Sequence, residues 1–313
     1  MRQRHQKDQH AHYYVLVNSR AAGYNPKAIE KLTRRIRQQG WFYTVYEGES
    51  AEGMVRRARL VCGLVPATRP APDYMQRRGA VTALIACGGD GTVNGVAEVA
   101  AEADLPMGIL PAGRFNNIAR ALCDRPDIDS AIDNILKRNY RKIDTATVSG
   151  RFFLGSLGLG LFAQLARLLE GTKTPRFGFS WGRLAAKAAA AVEPTAMSIA
   201  IDSFRFDVRP SVCSVCLLPF TVGFPLSPTS QFDDRQAEVI FDGGDRVVDT
   251  AAFIKQTFRR KYSFRSEIKL YRGGAITIQP VADRTLYLDG ELVNPPSEVL
   301  EIRIAEKQLK VYC

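Results

Sequence analysis

Three short segments of this sequence combine residue types suited to holding a phosphate and taking up a proton. The first is Gly88-Gly89-Asp90-Gly91-Thr92, followed by Asn94, between an apolar run ending at Cys87 and a helical pattern. Glycines let a backbone turn sharply and approach a ligand closely. A helix N-terminus offers unpaired N–H groups to a phosphate. Asp90 stands at the carboxyl end of an expected strand, where open α/β sheets take their ligands. Such a run can also be a plain strand-to-helix turn capped by Asp90 or Thr92, but the full pattern in this setting points to phosphate binding. The second segment, Leu110-Pro111-Ala112-Gly113-Arg114-Phe115-Asn116-Asn117, repeats the strand, glycine turn and helix order. It is either an ordinary turn capped by Asn116 or the other lip of the same crevice. The third, Leu286-Tyr287-Leu288-Asp289-Gly290-Glu291, sets two carboxylates around a glycine at a strand end. It reads as a hairpin turn or as the source of a catalytic carboxylate.

Stepping outward, composition removes several chemistries. The three His (His5, His10 and His12) fall in a polar tail of residues 1–12 expected to be disordered, so the folded body is expected to lack histidine. That disfavours a Ser-His-Asp triad, a Cys-His dyad and a His-ligated zinc. Proton transfer then falls to carboxylates, Lys, Tyr or Cys. Of the six Cys, only Cys213 and Cys216 have ligand-like spacing, and they sit in an apolar run that reads as a strand. Core thiols are the expectation. No apolar leader follows the charged start and no run is long enough for a helical span, which fits a reducing cytoplasm. The net charge is +11, with the Lys and Arg excess in residues 1–12, 167–187 and 255–272. These are solvated faces or contacts with an anionic surface, a membrane before a nucleic acid.

The elements that must position these groups follow from periodicity. Strands at 13–17, 41–46, 80–87 and 107–110 alternate with helices at 26–39, 51–62, 92–103 and 116–122, and 63–79 reads as an exposed loop. That alternation implies a parallel sheet covered on both faces. After Asp144 the pattern changes to a hairpin at 145–153, helices at 162–169 and 182–192, and short strands from 196 to 312. The expected organisation is a Rossmann-like α/β domain at 13–143 and a β-rich, sandwich-like domain at 144–313, whose C-terminal end is free to pack back on the first domain.

In combination these segments resemble the diacylglycerol kinase catalytic-domain family, the lipid kinases that include sphingosine and ceramide kinases. Six motifs stand in family order: Asn18 to Gly23, Cys87 to Asn94, Pro111 to Arg120, Ile143-Asp144 with Gly150 to Phe153 and Gly158 to Gly160, Pro228 to Val239, and Asp289-Gly290-Glu291. The resemblance implies an NAD-kinase/diacylglycerol-kinase-like two-domain fold with ATP in an interdomain cleft. It implies nucleotide contacts from Asn18, Gly23, Gly88, Gly89, Asp90, Gly91, Thr92, Asn94, Gly113, Arg114, Asn116 and Asp144. It implies Mg2+ near Asp90 and a structural metal near Asp233 and Asp234. A lipid hydroxyl would attack the γ-phosphorus, with Asp289 as base and Glu291 as second candidate. Lipid substrate and a peripherally met anionic membrane are the implied partners, with no nucleic acid; a homodimer is compatible. This chain departs from the family pattern at Arg114 (usually Thr), Asn117 (usually Asp) and Arg235 (usually Gly). The alternatives are a kinase of the same superfamily acting on a soluble substrate and a nucleotide- or lipid-binding pseudokinase.

Overall fold

The computed structural model describes residues 11–66, 80–123, 125–170, 179–227, 229–243, 268–281, 285–295 and 297–313. The chain forms two units: unit 1 runs to Ile143 and includes Lys307–Cys313, and unit 2 is Asp144–Glu306.

Unit 1 is built on strands that are apolar along nearly their whole length. β1 (His12–Asn18), β3 (Ala83–Gly88) and β4 (Met107–Pro111) are buried throughout or nearly so, whereas β2 (Phe42–Gly48) is an amphipathic edge. Continuous apolar runs are what strands covered on both faces require. With β5 (Tyr140–Ile143) and the C-terminal β20 (Leu309–Tyr312) they form one sheet in the order β2-β1-β3-β4-β20-β5. All neighbours are parallel except β5 and β20. α1 (Pro26–Gln38) and α5 (Ile128–Lys137) cover one face, where Leu32, Ile36, Ile132 and Ile135 meet Tyr13, Val15 and Val17. α2 (Ala51–Val61) and α3 (Asp90–Glu102) pack together and against β1 and β3, and Arg57 donates to the Tyr14 hydroxyl at 2.6 Å. A short α4 (Asn117–Leu122) follows β4. The chain leaves β1 toward β2 and then returns to β3 on the other side of β1. Sheets that switch direction in this way open a crevice beyond the carboxyl ends of the two strands at the switch.

Two expectations change here. His12 belongs to β1, not to a tail: it is 1% exposed, and its Nε2 lies 2.9 Å from the Thr44 hydroxyl. The folded body therefore does contain a histidine, at the end of β1 away from the glycine loops. The last strand, at the C-terminal end left free to pack back on the first domain, pairs with β4 and β5 in unit 1. Helix α5 was not expected, although Asp127 caps it by accepting the Ser130 N–H at 2.9 Å and Ile132 and Ile135 lie on its inner side.

Unit 2 contains two antiparallel sheets. The first has the order β10 (Phe204–Val208), β9 (Met197–Ile201), β16 (Ala275–Gln279), β19 (Leu300–Ile304), β6 (Ala146–Val148) and β7 (Arg151–Phe153). The second has the order β15 (Ile268–Gly273), β14 (Ala237–Asp242), β11 (Val212–Cys216), β8 (Ser156–Gly160), β17 (Leu286–Leu288) and β18 (Glu291–Val293). A small hairpin joins β12 (Phe220–Thr221) to β13 (Phe224–Pro225). In β9 every second residue is buried, and Ile199, Ile201, Ile276, Ile278 and Ile302 of the first sheet share one core with Leu157, Val215, Val239 and Leu288 of the second. That is sandwich packing. α6 (Leu161–Leu169) lies on β8, β11 and β17, and α7 (Phe179–Ala190) lies on α6. Cys213 and Cys216 are buried in β11, as core thiols.

Register lines up a row of residues at one end of the second sheet. Arg272 faces Glu238, Glu238 faces Cys216, and Cys216 faces Ser156, whose carbonyl accepts the Asp289 N–H at 3.1 Å.

Candidate functional site

The three nucleotide-loop motifs read from the sequence come together at the carboxyl ends of β1, β3 and β4. Asn18 ends β1 and its Nδ2 donates to the Thr92 hydroxyl at 3.0 Å. The Gly23 N–H donates to the Ala112 carbonyl at 2.7 Å, and the Ala112 N–H to the Gly88 carbonyl at 2.9 Å. Gly89 and Gly113 approach so closely that a Cβ on Gly113 would stand 2.3 Å from the Gly89 Cα. No larger residue fits that contact without moving one of the loops. A Cβ on Gly88 would likewise meet the Thr92 side chain at 2.6 Å. The second loop is closed by Asn116, which has φ 50, a left-handed conformation that Asn tolerates better than most residues. Its Oδ1 accepts the Gly113 N–H at 2.7 Å and its Nδ2 donates to the Gly113 carbonyl.

Asp90 is buried at the first position of α3, and its Oδ1 accepts the Ile118 N–H at 3.0 Å. Burial raises its pKa, opposed by backbone hydrogen bonds from Ile118 and Asn117 and by the charge of Arg120. Asp90 thus fastens the glycine loop to the start of α4. The N-cap of α3 is Gly89, which has no side chain to occupy the helix's first N–H groups. Gly91 and Thr92 complete that turn. Asn94, one turn along, has an Oδ1 that is buried without a hydrogen-bond partner. Arg114 is exposed at the tip of the second loop. The arrangement is a backbone-lined cradle at a helix N-terminus, suited to an anionic ligand.

Residues 12–148 match the diacylglycerol kinase catalytic domain family. The matched stretch contains all three loops gathered at the carboxyl ends of β1, β3 and β4. It is 25% identical to the diacylglycerol kinase of Bacillus subtilis over 213 residues, 66% of this chain and 70% of that protein. It is 24% identical to the diacylglycerol kinase of Staphylococcus saprophyticus over 212 residues, 66% of this chain and 70% of that one. A solved structure described as a diacylglycerol kinase from Bacillus anthracis matches with TM-score 0.69 and 15% identity, covering 97% of this chain and 96% of that one. At that identity the likeness shows the two-domain kinase-family fold.

The remaining candidates of the family pattern lie in unit 2. Asp289 is 4% exposed with φ 44. Its Oδ2 accepts the Leu154 N–H at 2.6 Å, and its Oδ1 accepts the Gly155 and Ser156 N–H groups, both at 2.8 Å. It therefore joins the β17–β18 turn to the β7–β8 turn. Glu291 is exposed and pairs with Arg151 at 3.2 Å. Asp144 is 1% exposed, its Oδ2 accepts the Arg235 N–H at 2.6 Å, and its own N–H donates to the Phe232 carbonyl. Asp233 is exposed, and Asp234 pairs with Arg272.

The residues expected to lie near metals fall in two separate places, as the resemblance implied. Asp90 belongs to unit 1, Asp233 and Asp234 to unit 2. Among the described residues no group of three or more His, Cys, Asp or Glu side chains could hold a metal ion.

Of the basic stretches 167–187 and 255–272, residues 171–178 and 255–267 lie outside the described residues, and with them Phe177, Phe258, Tyr262 and Phe264. Trp181 is buried with its ring edge-on to Phe224 at 5.0 Å. Arg183 and Lys187 are exposed on the other side of α7. Among the described residues no helix is long and apolar enough to cross a membrane.

Sequence reasoning missed the partners of the carboxylates. Three of Asp289's partners are backbone N–H groups, which leave no signature in side-chain types. Arg151 and Arg272 stand far from their partners in the chain and meet them only once the sheets of unit 2 are assembled.

Proposed function

We propose that this chain is an ATP-dependent lipid kinase that transfers the γ-phosphate to a hydroxyl of a diacylglycerol-like or sphingoid lipid. The observation that carries the reading is the mutual approach of Gly89 and Gly113 at the end of the sheet, within a domain of the diacylglycerol kinase family. Side chains are excluded where a polyphosphate would have to touch backbone. In this reading Gly88 to Asn94 bind the phosphates through N–H groups, and Arg114 adds a guanidinium suited to bidentate phosphate contact. Asn18 and Asn116 hold the loops in place around the nucleotide. Mg2+ bound with ATP would neutralise phosphate charge, since this chemistry needs mostly positioning and charge compensation. Asp289 takes the proton from the attacking hydroxyl, with Glu291 as the second candidate. Basic residues of 167–187 and 255–272 would bring the protein to an anionic membrane surface, which predicts vesicle binding that weakens as salt rises.

The test is a radiolabelled-ATP assay over a panel of lipids and soluble alcohols. Label in a lipid product supports the proposal, and label only in a soluble acceptor moves the chain to a different substrate class. One observation favours a second reading, a nucleotide-binding protein without transfer: the Asp289 carboxylate already accepts three backbone N–H groups. Nucleotide binding with no labelled product from any acceptor would select that reading.

A further inference from the structure

Glu238 sits on β14 with 1% of its surface exposed. An ionised carboxylate so placed has lost its water and needs both hydrogen bonds and an opposing charge. The hydrogen bonds come from two hydroxyls: Ser227 donates to Oε2, and Thr229 donates to Oε1 at 2.7 Å. The charge comes from the neighbouring strand. Arg272 is the register partner of Glu238 on β15, and its Nε lies 3.6 Å from Glu238 Oε1. The Nη2 of the same guanidinium bonds Asp234 Oδ2, and Asp234 Oδ1 accepts the Gln236 N–H at 3.1 Å. One arginine therefore spans two carboxylates of the segment in which the family resemblance implies a structural metal.

Asp233 is exposed, and the Asp144 carboxylate accepts the N–H of Arg235, which takes the left-handed φ of 59 where the family pattern has Gly. A hard divalent ion needs a shell of several oxygen ligands. Arginine supplies the positive charge permanently, in a planar fork that matches carboxylates on two edges. We propose that the Arg272 guanidinium is the built-in cation of the Asp234–Glu238 site, so that this end of unit 2 is held together without a bound metal ion.

The test uses the full chain without nucleotide and reads thermal unfolding and Mn2+ binding, neither of which requires turnover. The parent protein should keep its Tm in chelator and in Mn2+, and Asp234→Asn should not alter that indifference. Arg272→Met, which keeps the apolar stem and removes the charge, should lower Tm by roughly 5–10 °C, the scale of breaking a partly buried ion pair. Part of that loss should be recovered by Mn2+, because two uncompensated carboxylates are left facing each other. Arg272→Lys should retain part of the parent Tm. The proposal fails if the parent loses Tm in chelator, regains it with Mn2+, and Asp234→Asn abolishes that response. It also fails if Arg272→Met melts like the parent. If Arg272→Met does not fold, comparison of the parent with Asp234→Asn decides the matter by itself.

Discussion

Replacing Asp289 by Asn changes one oxygen to an NH2 group and leaves shape and backbone preference nearly the same. The left-handed φ of 44 at this position is tolerated by both residues, so conformational strain does not enter the comparison. What changes is acceptance. The amide oxygen can remain on the Gly155 and Ser156 N–H groups, but the new amide nitrogen then confronts the Leu154 N–H, 2.6 Å away in the parent. A buried donor left without a partner costs about 1–3 kcal/mol, and the two surviving bonds lose their charge assistance. The total is about 3 kcal/mol. A unit the size of Asp144–Glu306 shifts its Tm by roughly 2–4 °C per kcal/mol, so Asp289→Asn should melt about 6–12 °C below the parent. Calorimetric melting measures this directly. Phosphoryl transfer measured on the folded mutant then separates the roles. A large drop in kcat with unchanged nucleotide affinity supports proton acceptance, whereas normal kcat on a destabilised protein makes Asp289 an anchor of two turns only. A mutant that melts within about 1 °C of the parent would refute the hydrogen-bond reasoning, because it would mean the three N–H groups are satisfied without the carboxylate.

Other outcomes follow from the same geometry. Gly113→Ala forces a Cβ to 2.3 Å from the Gly89 Cα, so the loops must separate; MgATP affinity by calorimetric titration should fall about 10-fold or more, the consequence of ~1–3 kcal/mol of overpacking. Arg114→Ala should weaken MgATP binding by roughly 10-fold if its guanidinium contacts phosphate, whereas stronger binding in Arg114→Ala or Arg114→Thr would show that the arginine obstructs the site. Cys87, Cys123, Cys213 and Cys216 should resist alkylation in the native protein while Cys62 and Cys313 react, a difference readable by intact-mass spectrometry. Burial raises the Cys216 thiol from 9.0 to about 11. The folded state thus holds this proton more tightly than the unfolded chain, so its stabilising contribution is complete below pH 9 and is lost as pH rises through 11. Alkaline melting should show that decline, and Cys216→Ala should flatten it.

The elements of unit 1 that carry the nucleotide loops were legible because their signals are local. Apolar runs such as Tyr13–Val17 and Leu84–Cys87 suit buried strands, and the glycines from Gly88 suit an abrupt passage from strand to helix, which the chain makes at Gly89. The sequence also determined that the loops carry glycine where backbone must approach backbone. Their meeting was decided by topology: the switch between β1 and β3 brings Asn18 to Thr92, and the parallel pairing of β3 with β4 brings Gly89 to Gly113. His12 escaped the sequence reading because a polar residue at the mouth of a strand looks the same whether it is buried against Thr44 and Thr82 or trails in solvent. The placement of the last strand stayed open because its short β pattern, Leu309–Tyr312, suits either sheet, and the open edge of β4 selects the first. In unit 2 the succession of short strands from 196 onward pointed to a β-rich domain. What each carboxylate does was set by strand register and backbone donors: Asp289 on three N–H groups, Glu238 opposite Arg272, Asp144 on the Arg235 N–H. Hydrogen bonds between groups distant in sequence exist only once the strands are in place, and so the role of a charged residue in this fold is a property of its neighbours across the sheet.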